Sequence, residues 1–203
     1  MKNTKNRYGF TLIELLAVII ILGVIMTIAI PNIVSTLDKN KRDSFIKDAK
    51  RAITSAEYTI RSETKYEYPD SNTAVIFPLR DLKNLDLDSS PFDTYYSLDD
   101  SFVAITKQKI SGGTDSEYVY YVHLVSCVDE GCVKTDQDSR SQMRGINLTR
   151  SDKLDENGRY DLVVKGQEVV SNYLSDTSGS YEGIKYAFSQ ILKNNSITEI
   201  VIY

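Results

Sequence analysis

Residues 9–31 read GFTLIELLAVIIILGVIMTIAIP. From Phe10 to Ile30 the only charged residue is Glu14, whereas almost everything after Asp38 is as polar and charged as an ordinary soluble domain. A helix rising ~1.5 Å per residue over this run is about 32 Å long, enough to cross a hydrocarbon core of ~30 Å. The preceding residues carry Lys2, Lys5 and Arg7 and no acid, the charge placement that holds a segment's start on the cytoplasmic side of a membrane. Two readings fit this pattern. One is a spanning anchor; the other is a secretory signal, for which Thr27-Ile28-Ala29 supplies a small-x-small cleavage site. Glu14 weighs against the second, because a carboxylate in an apolar segment costs ~2.5–3.5 kcal/mol at the helix centre and less near the interface. Either Glu14 lies wetted among the headgroups or a cation meets it.

Working outward, 203 residues with 41% apolar and 26% charged side chains allow one globular domain plus an appendage. Lys and Arg number 24 against 28 Asp and Glu, a net charge of −4; without the three cations of the first nine residues the balance is 21 against 28, or −7. That balance argues against nonspecific nucleic-acid binding, which needs clustered cations. Two cysteines and one histidine leave almost no material for a metal centre or a nucleophile-histidine pair, so neither catalytic residues nor a cofactor or metal are expected.

The stretch Gly9-Phe10-Thr11-Leu12-Ile13-Glu14 resembles the processing motif of the type IV pilin family, which includes pilus subunits, type II secretion pseudopilins and competence pilins. A short basic leader ending in Gly9, Phe10 as first mature residue, Glu14 four residues on, Gly23 within the run and Pro31 closing it stand where that family has them. The likeness covers about the first 60 residues and is architectural beyond them. It implies that a membrane-embedded prepilin peptidase cuts between Gly9 and Phe10 and N-methylates Phe10, Gly9 giving the scissile backbone close access. It implies further that Glu14 pairs with the amino terminus of a neighbouring subunit as the helices pack. In a low-dielectric core either partner alone is costly, so the pair acts mainly on register.

Beyond the run, Ile46, Ala49, Ile53, Ala56 and Ile60 recur at steps of three and four with Lys47, Asp48, Lys50, Arg51 and Glu57 on other faces, an amphipathic pattern. One helix is therefore expected from about residue 11 to 62. Pro31 must disturb it by removing a backbone donor; in the family reading the weak stretch between Gly23 and Pro31 extends on assembly. Residues 63–203 read as short strands with one more helix. Ser101–Thr106 and Tyr118–Val128 flank Ser111-Gly112-Gly113 and should form an antiparallel hairpin. Asn157-Gly158 ahead of Tyr160–Lys165 marks another, Tyr181–Asn194 looks helical and Thr198–Tyr203 makes a final strand. Leu79–Leu82 and Ser90–Asp93 suggest a short helix and a Pro-Asp turn. The expected organisation is a leader over 1–9, an N-terminal helix over 10–62 with its membrane segment at 10–30, and a soluble domain over 63–203. The fold class is α+β: a long helix packed by its second half on a small antiparallel sheet.

Cys127 and Cys132 flank a four-residue turn; opposite each other they come within disulfide reach, and export permits oxidation, though two free thiols fit as well. His123 stands four strand residues, about 13 Å, from Cys127, too far to share a zinc ion. Asp152, Asp155 and Asn157 before Gly158 suggest a calcium loop, but Lys153 stands where that pattern wants its first acid, and a solvated turn is the better reading. Asp176, the lone acid before Glu182 in the segment 175–183, makes a carboxyl-terminal calcium site like that of some secretion pseudopilins doubtful. Fourteen tyrosines, among them Tyr66, Tyr68, Tyr95, Tyr96, Tyr118, Tyr120 and Tyr121, are expected to pack mostly against the sheet. Lys41, Arg42, Lys47, Lys50 and Arg51 read as a solvated helix face. The resemblance implies a processed subunit of an extracellular filament, anchored in the cytoplasmic membrane before assembly, with other pilin subunits, the prepilin peptidase and an assembly platform as partners. Its rivals are a pseudopilin of a secretion or DNA-uptake system and a conventionally exported binding domain.

Overall fold

The structure, a computed structural model, describes residues 10–87, 89–110, 112–128, 142–155, 162–165, 188 and 197–203. The expected helix is present as α1, Leu12–Ser62, with Pro31 inside it. It runs through Pro31 unbroken. The chain divides into two units, Met1–Asn40 and Lys41–Tyr203.

In the first unit, the helical residues up to Asn40 are almost all exposed. Its large apolar side chains run from 46% exposed at Leu22 to 84% at Leu12. No amphipathic stripe exists here, because the sequence is apolar on every side. Polar side chains bond the helix's own carbonyls instead of a neighbour. Thr27 Oγ1 donates to the Gly23 carbonyl at 2.8 Å, and Thr36 Oγ1 to that of Asn32 at 2.8 Å. Asn32 Nδ2 donates to the Ile28 carbonyl at 3.2 Å, beside the Thr27 carbonyl that Pro31 leaves without its backbone donor.

In the second unit α1 becomes one-sided. Phe45, Ile46, Ala49, Ala52, Ala56 and Ile60 are buried, at the steps of three and four that put side chains on one helix face. Ala49, Ala52 and Ala56 are fully covered, and their small volume lets the helix lie close on the sheet. The strands are β1 Thr73–Pro78, β2 Tyr95–Tyr96, β3 Phe102–Lys109, β4 Ser116–Cys127, β5 Arg144–Arg150, β6 Val164–Lys165 and β7 Glu199–Ile202. Among the described residues they form one sheet in the order β6-β5-β4-β3-β1-β7, with β2 pairing β4. The expected hairpin is β3–β4, in register from Phe102↔His123 to Lys109↔Ser116. Leu79–Asp81 is a 3-10 turn, and Ser90 and Thr94 bridge across the Pro91 turn.

The all-antiparallel expectation needs one correction: β7 runs parallel to β1, pairing Thr73↔Glu199 through Ile76↔Ile202. A hairpin forces antiparallel pairing, but strands joined through a long intervening chain are free of that constraint. β1, β2 and β5 were not expected as strands. The burial of β1 explains its omission, because every residue from Ala74 to Pro78 is covered and a strand buried on both faces shows no alternation.

Both faces of the sheet are covered. Val75, Phe77, Val103, Ile105, Val122 and Leu124 share a cluster with the α1 residues. On the other face Ala74, Ile76, Phe102, Ala104, Tyr121 and Val125 pack with Met143, Phe188 and Ile197. Phe188 is helical and fully buried; the rest of the helix expected over 181–194 lies outside the described residues, as do the Asn157-Gly158 turn and Ser111. Of the tyrosines named above, Tyr96 and Tyr121 are buried and Tyr66, Tyr68 and Tyr120 partly so, whereas Tyr95 and Tyr118 are exposed. Tyr66 meets Phe77 edge-on at 5.1 Å and Tyr203 at 4.7 Å, and Tyr68 lies 4.4 Å from Tyr118.

Candidate processing and assembly site

The site begins where helix geometry begins. The first N–H groups of a helix lack partners within it, and the sequence Thr11-Leu12-Ile13-Glu14 supplies them. Glu14 Oε2 accepts the Thr11 amide at 2.8 Å and the Thr11 hydroxyl at 2.8 Å. The Glu14 amide in turn donates to Thr11 Oγ1 at 3.3 Å. Thr at the cap with Glu three residues later is a capping box, a motif legible in the sequence that the reading of Glu14 as a bare charge overlooked. The carboxylate is thus hydrogen-bonded within its own chain, and a favourable charge lies at the positive end of the helix. Phe10, immediately before, is 86% exposed. Gly9 lies outside the described residues.

Gly23 and Pro31 are not brought to this cluster; they stand further along the same helix. A methyl group added at Gly23 would meet nothing within 4 Å, so no contact among the described residues calls for glycine there.

The family comparison bears on this same stretch. Residues 4–30 match the family model of the prokaryotic N-terminal methylation motif. The chain carries the hallmark of the type IV pilin-like proteins. No curated protein and no solved structure matches it. The methylation motif is that of a family of structural subunits, and the helix that begins within the matched residues, Leu12–Ser62, is by length and composition apolar enough to cross a membrane.

The remaining candidate residues lie in the second unit. Cys127 is disulfide-bonded; Cys132, the other cysteine of the sequence, lies outside the described residues. His123 is 3% exposed, with its ring 5.3 Å from that of Phe102. It lies where the β4–β5 register shifts between Val122 and Leu124. Burial pushes its imidazole down to about 4, against a weaker opposing bond with the Ile146 backbone. Asp152 pairs with Arg150 at 2.9 Å, in a 3-10 turn over Ser151–Lys153; Asn157 lies outside the described residues. Among the described residues, no group of three or more His, Cys, Asp or Glu is placed to hold a metal ion.

The basic stretch on α1 is more engaged than a solvated face. Lys41 pairs with Asp93 at 2.8 Å, and Arg42 donates to the Val163 carbonyl at 3.0 Å. Asp48, one of the polar residues of the helix by its pattern, is buried and accepts the Tyr96 hydroxyl at 2.8 Å and an Arg51 N–H at 3.3 Å. Burial, then the Asp48 charge, push the Tyr96 phenol far above its usual range.

Proposed function

We propose that this chain is a type IV pilin-like structural subunit, cut between Gly9 and Phe10, N-methylated at Phe10 and assembled through its apolar helix into an extracellular filament, with no catalytic activity of its own. The observation that carries the reading is the methylation motif over residues 4–30, which runs into a helix whose large apolar side chains are exposed on every side up to Leu37. Most of these side chains are about half exposed, so each left in water forgoes on the order of half of the ~1.5–3 kcal/mol of full burial, and summed over the run this requires a bilayer or other helices around the segment. Before assembly the segment spans the cytoplasmic membrane; afterwards the helices of neighbouring copies surround it. Glu14 enters the filament already capped by Thr11 and accepts the Phe10 ammonium of a neighbour as its counter-charge. Gly23 and Pro31 weaken the helix between them and permit it to extend as copies pack.

Mass spectrometry of the amino-terminal peptide tests this, on cell membranes and on sheared surface material of the native host. N-methylated Phe10 is expected in both fractions. A mature protein that keeps Met1 or starts at Ile30 would overturn the processing step and, with it, the filament.

A further inference from the structure

The exposed side of α1 in the second unit has a feature that the assembly reading does not use. Tyr58 stands 52% exposed between two hollows that share it and Thr54. One, of about 920 Å³, is bordered by Lys47, Lys50, Arg51 and Lys83 with one acid, Asp86; the other, of about 390 Å³, by Glu57 and Arg61. The wall of the larger hollow is fixed in place. The buried Thr59 hydroxyl accepts the Lys83 amide at 3.0 Å, the Ser55 hydroxyl donates to the Lys83 carbonyl, and Asn84 holds a left-handed turn at φ 56°. A half-exposed tyrosine ridge with arginines beside it has the composition of a protein-docking centre.

Charge indicates the partner. Residues 41–62 hold six Lys and Arg against three Asp and Glu, or +3, whereas residues 63–203 hold 14 against 23, or −9. Copies meeting through residues 63–203 alone would repel, and the helix face is the complementary surface the chain itself provides. The cations are interleaved with acids: Arg51 pairs with Asp48, Arg61 with Glu57 and Lys83 with Glu63. That mixed pattern suits a protein surface with separate carboxylates and an apolar contact for Tyr58; a polymer of continuous negative charge would meet those acids and be repelled.

We infer that the α1 face centred on Tyr58 docks the acidic surface of a neighbouring copy of this chain, an inference that rests on the assembly proposed above. The test places a photo-crosslinker in the full-length chain, Tyr58→benzoylphenylalanine, in the native host, and analyses membrane and sheared fractions separately. The expected product is a self-adduct joining position 58 to a peptide from residues 63–203. Lys47→Glu, an exposed position, should reduce that adduct on the order of tenfold while leaving the urea midpoint of the chain unchanged. An adduct to another protein, or none in sheared material that contains the chain, overturns the docking and leaves the assembly standing. If the chain never reaches the sheared fraction, the assembly reading fails; a self-adduct in the membrane fraction then still supports the docking face, and its absence there overturns it.

Discussion

His123 makes the most quantitative prediction about the soluble unit. Its imidazole is fully enclosed and pushed down to about 4, against about 6.5 in an unfolded chain. Between those values the unfolded state binds a proton that the folded state refuses, so the contribution of the neutral ring is complete above pH 6.5 and is lost as pH falls toward 4. At ~1.4 kcal/mol per pH unit the whole gap is worth about 3 kcal/mol, of which about 2 kcal/mol is gone by pH 5. Carboxylates also titrate in this range, and a difference measurement removes them. His123→Leu keeps an apolar side chain of similar size in the site and cannot titrate. Urea unfolding of the full chain in mild detergent, followed by tyrosine fluorescence, gives the stability of both forms at pH 7.5, 6 and 5. The variant should gain about 2 kcal/mol relative to the parent across that range, whatever its offset at pH 7.5. A difference that stays constant from pH 7.5 to 5 would show that the ring is not held neutral, and the burial argument would fail.

Three further outcomes are expected. Asp48→Ala leaves the buried Tyr96 hydroxyl without its acceptor and should cost about 2 kcal/mol; the double variant with Tyr96→Phe should cost less than the sum of the two singles in urea unfolding. Reduction of the disulfide at Cys127 should lower stability by about 2 kcal/mol if the closed loop is the short one to Cys132, read as a shift in urea midpoint with and without dithiothreitol. Glu14→Ala removes both the capping box and the charge, whereas Glu14→Gln retains an oxygen for the Thr11 amide. Under the pairing proposed for Phe10 both variants should be depleted from sheared filaments with the soluble unit's unfolding unchanged, and normal incorporation of the glutamine form would show that only the cap matters.

How much was legible depended on how each element is buried. The run from Phe10 to Ile30 and the periodicity from Ile46 to Ile60 were readable because each pattern is local: one segment is apolar all round, the other on one face. The β3–β4 hairpin was readable from its β-branched and aromatic runs around a glycine turn. β1 was not, because Thr-Ala-Val-Ile-Phe-Pro is buried on both faces and carries no period-two contrast. β5 was not, because Arg144, Asn147 and Arg150 dilute its apolar residues and its partners lie far away in sequence. At the site, Glu14 was found through its charge, whereas its bonds to Thr11 follow from the Thr-x-x-Glu spacing at a helix start. Asp48 looked like one more helix-surface acid, since nothing in the sequence shows that Tyr96, 48 residues away, will cover it.

The composition of the first unit also limits what can drive its assembly. Lipid tails are as apolar as isoleucine, so moving this helix from a bilayer into a bundle of like helices gains little from the hydrophobic effect. Apolar exposure therefore accounts for leaving water but not for choosing between membrane and filament. What remains to decide that choice is packing and the few polar groups of the segment. Thr27 and Thr36 already donate their hydroxyls to carbonyls of their own helix, and Asn32 uses one of its two amide N–H groups in the same way, so these neutral groups can add hydrogen bonds to a neighbour but no charge. Glu14 is different in kind: its capping bonds satisfy lone pairs without neutralising its charge, and an ion in a low-dielectric environment remains costly until a counter-charge arrives. In the proposed filament a neighbour's Phe10 ammonium supplies that counter-charge and the bilayer does not, so the preference for assembly is concentrated at one carboxylate near the start of a helix that is otherwise indifferent to which apolar surroundings it occupies.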